Sequence, residues 1–151
     1  MYSKAKIAGH PIHPMLVAYP IAFYTATFVC FIVYGANDDP FWFRVAYTAN
    51  IAGVVMAALA ALPGFIDWAT GIPNGTKAKK TGLIHMGFNV FSLAVFAINA
   101  FIQQGKWNDQ QPDSSAAVWL TGLGMLCTIA AGFYGWTLVQ KHHVGVDDAA
   151  Q

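Results

Sequence analysis

Four long apolar runs, separated by three short polar links, make up nearly the whole chain. The runs cover residues 15–34, 45–66, 83–102 and 116–139. Each is close to the ~20 residues that cross ~30 Å of hydrocarbon as a helix. Surface helices of a soluble domain carry a polar stripe at period 3.6, and these runs are read as carrying none. The links 35–44, 67–82 and 103–115 are short, so successive helices should be antiparallel neighbours. The pattern predicts an all-α integral membrane protein, an antiparallel four-transmembrane-helix bundle forming a single domain over residues 1–151. The first run exceeds the ~7–15 apolar residues of a cleaved signal, and no small-residue cleavage site follows it.

Composition strengthens this picture. The chain is 56% hydrophobic and 10% charged, against about 25% charged residues in a soluble domain. Such a chain has too little polar surface to coat a globule, so the lipid bilayer is its first partner. A net charge of +1 with scattered basic residues gives no case for nucleic acid. Lys4, Lys6, Lys77, Lys79, Lys80 and Lys141 fall on one side of the topology, Arg44 and Lys106 on the other. Six against two puts the N-terminus, the second link and the C-terminus in the cytoplasm. Cys30 and Cys127 come at different depths and read as small core residues rather than a bridge.

Small residues recur every four positions in the second run, at Gly53, Ala57 and Ala61 with Ala60 and Gly64 beside them. Ala131 and Gly135 repeat the spacing in the fourth, with Gly122 and Gly124 nearer its other end. Such residues let helix backbones approach in lipid, and these faces would permit a homodimer. Asn50 and Asn99 read as packing or capping residues. The two halves also share a faint repeat: a glycine, a histidine and then an aromatic-rich helix, at Gly9 to His13 and at Gly82 to His85. A parallel repeat about an axis along the membrane normal would set both histidines on the same side.

Candidate chemistry gathers on that side. His10 and His13 lie in Gly9-His10-Pro11-Ile12-His13-Pro14, where the prolines favour extended histidines and put Pro14 at the first helical position. Asp67 closes the second run, His85 stands about one turn into the third with Asn89 on the same face, and His142 and His143 follow the fourth. Plainer readings exist for each: solvated interfacial residues for His10 and His143, a basic tail for His142, a helix cap or lysine pair for Asp67, and an interhelical hydrogen bond for His85. The functional reading is a cofactor site. His13, His85 and Asp67 form a three-ligand core for iron, copper or zinc, with His10 or His142 as a fourth ligand. Asn89 would fix the tautomer of His85. Alternatively, the imidazoles, His13 and His85 first, hold haem b between facing helices. Proton relay is a third use of the same histidines.

At these residues the chain resembles a bacterial four-span membrane family catalogued as domain of unknown function 2231. The resemblance is carried by residues 9–17 with Pro20, by Gly64-Phe65-Ile66-Asp67-Trp68, by His85 with Asn89, and by Leu138-Val139 through His142 to Val144-Gly145-Val146. His143 and Gln140 depart from it, standing where a glycine and an aromatic would be usual. The resemblance implies the bacterial cytoplasmic membrane and no settled activity. Some relatives look like they carry a fused Rieske-type iron–sulfur domain, which tilts the reading toward redox chemistry. The leading expectation is therefore electron transfer through a haem or metal site near the cytoplasmic face, with a redox partner protein. The alternatives are a proton-coupled or small-solute transporter, which needs a polar path continuing past Asn89 to the far side, and a non-catalytic subunit of a larger membrane complex.

Overall fold

The computed structural model describes residues 3–146; residues 1–2 and 147–151, counted in the single domain above, lie outside the described residues. Four helices are long and apolar enough to cross a membrane, over Ile12–Asn37, Pro40–Gly71, Lys77–Gln103 and Ser115–His142. Each is longer than its apolar run because polar and aromatic residues at both ends continue the backbone hydrogen bonding.

The chain opens with a small antiparallel hairpin, β1 (Lys6–Ile7) and β2 (His10–Pro11). A short helix α1 (Ile12–Leu16) follows, then α2 (Ala18–Asn37). Pro20 has no N–H to return to the Leu16 carbonyl, and the helix is interrupted at Val17. His13 therefore sits inside α1 rather than in the extended segment its neighbouring prolines suggested; the extended stretch is His10–Pro11.

The Asp39 carboxylate accepts from the Phe41 N–H and Pro40 takes the first position of α3 (Pro40–Ile66). A π-helical turn, Asp67–Gly71, extends α3. The Thr76 hydroxyl caps α4 (Lys77–Gln103), accepting from Lys79 N–H at 3.1 Å. In the last link the Asp113 carboxylate accepts from the Ser115 N–H at 2.9 Å, which holds its pKa below the ordinary range and opens α5 (Ser115–His142). His143 ends α5 in the left-handed conformation, and Val144 N–H returns to the Leu138 carbonyl.

The helices pack as two hairpins, α2 with α3 and α4 with α5, joined by α2 against α5 and α3 against α4. Large apolar residues face outward toward lipid; Trp119 is 81% and Phe101 72% exposed. At the end away from the histidines an aromatic cluster of Phe31, Tyr34 and Phe43 packs with Cys30, Ala46 and Ala117. Cys30 and Cys127 are buried and free. At the histidine end Ile72, Ala78 and Leu138 pack with Trp68 and Val144. Buried beside Tyr24, Val95 and Phe96, the interior also holds polar residues: Thr27, Asn50, Ser92, Asn99, Gln103 and Thr121. Membrane proteins can invert the soluble pattern in this way, because lipid rewards an apolar outside and polar groups must find partners within.

Candidate functional site

Two histidines meet across the bundle. His13 of α1 and His85 of α4 have ring centroids 6.1 Å apart, with ring planes at 86°. His13 Nδ1 lies 2.8 Å from the Ala60 carbonyl of α3, and His85 Nδ1 lies 2.8 Å from the Ala131 carbonyl of α5. A carbonyl only accepts, so each Nδ1 must carry the proton and donate it. A neutral ring so fixed keeps its lone pair on Nε2, the nitrogen left to bind a metal or take a proton.

Glycines seat both rings. A Cβ on Gly64 would come within 2.8 Å of the His13 ring, and a Cβ on Gly135 within 3.0 Å of the His85 ring. Deeper in the bundle the same device recurs. Tyr24 lies against Gly53 and Phe96 against Gly124, and the two rings stack face to face with centroids 3.7 Å apart. The small residues expected to bring backbones together instead hold rings at these four positions.

These contacts turn the faint repeat into a geometric one. His13 and Tyr24 of the first hairpin correspond to His85 and Phe96 of the second, offset by 72 positions. Gly53, Ala60 and Gly64 of α3 correspond to Gly124, Ala131 and Gly135 of α5, offset by 71. Corresponding rings meet each other, as they must near a two-fold axis passing between the hairpins.

Beside the two imidazoles is a cavity of about 530 Å³. His13, His85, Asn89 and Tyr24 supply polar groups to its wall, and glycines and alanines of α3 and α5 leave it room. Volumes of ~300–1,000 Å³ are usual for sites that take a small molecule or cofactor. Tyr24 was absent from the candidate residues; only the 72-residue offset to Phe96 could have drawn attention to it.

The other candidates take different places. The Asp67 carboxylate accepts from the Ser3 hydroxyl at 2.6 Å and from the N–H groups of Lys4 and Ala5 at 2.6 and 2.9 Å. It clamps the N-terminal segment over the end of the bundle, and both its oxygens are engaged there. His10 is exposed, its Nδ1 3.0 Å from the Ala8 carbonyl. His142 Nε2 lies 3.3 Å from the Thr81 hydroxyl, and His143 is exposed at the end of α5. Among the described residues no three or more of histidine, cysteine and acid side chains are placed to hold a metal ion. The three-ligand core of His13, His85 and Asp67 is thus not assembled, because Asp67 is committed to backbone donors 62 and 63 positions earlier.

Asn89 reaches its partner. Its amide donates to the His85 carbonyl at 2.9 Å and lies 3.2 Å from His85 Nε2, where it can only donate. The Ala131 carbonyl and the Asn89 amide therefore select the same tautomer. The plain reading of His85 as an interhelical hydrogen bond is realised too, and His13 repeats it; both bonds use Nδ1 alone. His85 also lies deeper than one turn, eight positions after Lys77 or about 12 Å along the axis.

The chain belongs to a family of membrane proteins, described as predicted membrane protein (DUF2231), whose model matches residues 9–148. That match takes in both histidine seats and all four helices. No curated protein and no solved structure matches the chain.

Proposed function

We propose that this membrane protein carries electrons through a haem b held by His13 and His85 near the cytoplasmic face of the bacterial inner membrane. The observation that carries the reading is the symmetric imidazole pair. The two rings face each other across the bundle with centroids 6.1 Å apart, and these are the residues that would hold the haem. Each Nδ1–H is anchored on a carbonyl, the usual way a ligating imidazole is oriented; the Asn89 amide, 3.2 Å from His85 Nε2, would give way to the iron.

A haem would need only imidazoles such as these two from the protein, whereas a bare zinc or copper ion wants three or four protein ligands. The donor set therefore favours the macrocycle. A haem would supply a one-electron couple, and the apolar cavity wall would set its potential by excluding water. The N-terminal segment clamped by Asp67 lies over this end of the bundle and, through Ser3 and Pro11, closes part of the cavity. A redox partner protein would exchange electrons from the cytoplasmic side, where the lysine excess places this end.

The test is the absorption spectrum and iron content of the purified protein. One haem per chain or less is expected, with a Soret band lost in both His13→Ala and His85→Ala while His10→Ala and His142→Ala keep it. A preparation supplied with haem that shows neither a Soret band nor stoichiometric iron would overturn the reading.

A further inference from the structure

We propose that one face of α4 is a proton path across the whole membrane, joining the loop at the far end to the imidazole pair and then to the histidine end. It passes His85 of the site above and otherwise stands on residues that hold no cofactor.

The path begins as a spacing. In the half of α4 nearer the histidines, Thr81, His85, Asn89 and Ser92 follow one another at steps of four, four and three. In the other half Asn99 and Gln103 continue, and Lys106 comes three residues later. Steps of three or four keep one helix face, so a polar stripe does run the length of this span. Phe96 is the one apolar residue at this spacing. There Tyr24 of α2 stacks on it and brings a hydroxyl to the same layer.

Both ends are tied to polar surface. Lys106 Nζ donates to Gln103 Oε1 at 3.2 Å and to the Asp113 carbonyl of the last link at 2.6 Å. The Thr81 hydroxyl lies 3.3 Å from His142 Nε2 at the opposite end.

A second, independent observation says what lies between. The Tyr24 hydroxyl, Asn50 Oδ1, both polar atoms of the Asn99 side chain and Gln103 Nε2 are buried without a hydrogen-bond partner among the described residues. Asn50 holds its own amide on the Phe96 carbonyl at 3.1 Å, which places its free oxygen beside this layer. Unpaired polar groups are rarely kept in a membrane interior, because nothing in hydrocarbon can satisfy them. The orphan set is neutral and mixes donors with acceptors. Water is the partner that matches both, whereas an ion of either sign would match only one kind.

Water held between these amides and hydroxyls makes a relay, which at its inner end reaches the cavity beside the imidazole pair. The step is proton transfer alone. Each water takes a proton on one side and releases another on the other, so one positive charge crosses and nothing is oxidised or reduced. The Tyr24–Phe96 stack is the narrow point.

The experiment uses purified protein in liposomes that enclose a pH-sensitive dye. A potassium gradient with valinomycin supplies the driving potential. Proton entry should exceed that of protein-free liposomes, fall to the protein-free rate in Asn99→Leu and Gln103→Leu, and rise in Phe96→Ser. Size-exclusion and melting profiles check that the leucine variants fold; Asn99→Leu should leave them unchanged, and Gln103→Leu should lose only the contact to Lys106. Wild-type flux equal to protein-free liposomes, or folded Asn99→Leu conducting like wild type, overturns the proposal. Flux without a Soret band keeps the path and removes the cofactor. A Soret band without flux removes the path alone.

Discussion

In the hairpin of α2 and α3, with α1 leading into it, His13 rests on Gly64 and Tyr24 on Gly53; in the hairpin of α4 and α5, His85 rests on Gly135 and Phe96 on Gly124. Ring, glycine seat and accepting carbonyl are kept in both halves. The ends differ. Pro20 separates α1 from α2, while its counterpart Ser92 bonds to the Gly124 carbonyl within an unbroken α4. Asp67 clamps the N-terminal segment, while its counterpart Leu138 is buried against Ile72 and Ala78. What the halves share lies near the axis, where one object would meet both. What they do not share lies at the ends, where each hairpin meets a different piece of chain.

The sharpest way to break the comparison is to fill a seat. In Gly124→Ala the new methyl would lie 2.5 Å from the Phe96 ring, and in Gly53→Ala 2.7 Å from the Tyr24 ring. Overpacking of this kind costs about 1–3 kcal/mol, less about 1 kcal/mol of helix propensity gained over glycine. Gly132 and Gly87 have nothing within 4 Å of an added methyl, so alanine there should be neutral or slightly stabilising. Thermal unfolding in detergent orders the four. If Gly124→Ala melts with Gly132→Ala, the rings are not held by their seats.

Much of this was legible in the sequence, and the reasons for the rest are physical. Hydrophobic run length located four spans because hydrocarbon thickness fixes it. The same order of glycine, histidine and aromatic-rich helix in both halves marked the repeat, at Gly9 to His13 and Gly82 to His85. The polar stripe of α4 was equally present as letters, but His85, Asn89, Ser92 and Asn99 each stand between apolar neighbours, which hide the period within the run. Thr81, His85, Asn89 and Ser92 stand out only once Asn99 and Gln103 are seen to be buried beside them. Asp67 could not be placed: its partners are backbone N–H groups of Lys4 and Ala5, which no side-chain pattern reveals.

That clamp offers a second, smaller test, one that makes the halves more alike. In Asp67→Leu the acid takes its counterpart's identity, and the N–H groups of Lys4 and Ala5 and the Ser3 hydroxyl lose their acceptor. Hydrogen bonds to a charged group contribute about 1.5–3 kcal/mol when buried. Here the site is partly exposed and water replaces the carboxylate, so a loss of about 1 kcal/mol is expected, confined to the segment before α1. Trypsin should cut after Lys4 faster in the variant, with the four spans still protected. Equal cutting in both proteins would mean that other contacts hold the segment.

The smallest expected effect falls where the halves differ by one oxygen. Tyr24→Phe makes the stacked pair identical, and the hydroxyl it removes is buried with no partner among the described residues. Were that oxygen truly unpaired, its removal would stabilise the fold by up to about 1–3 kcal/mol. If water bonds to it, as the proton path requires, the gain shrinks toward zero and can turn into a small loss. The converse change, Phe96→Tyr, puts a second hydroxyl at the equivalent place in the other half. Melting temperatures of the two variants, read beside their proton flux, separate the cases. A clear rise in Tyr24→Phe with flux unchanged means a dry layer that conducts nothing through this hydroxyl. An unchanged melting temperature with reduced flux means that the difference between the hairpins at this one atom carries the path across the axis.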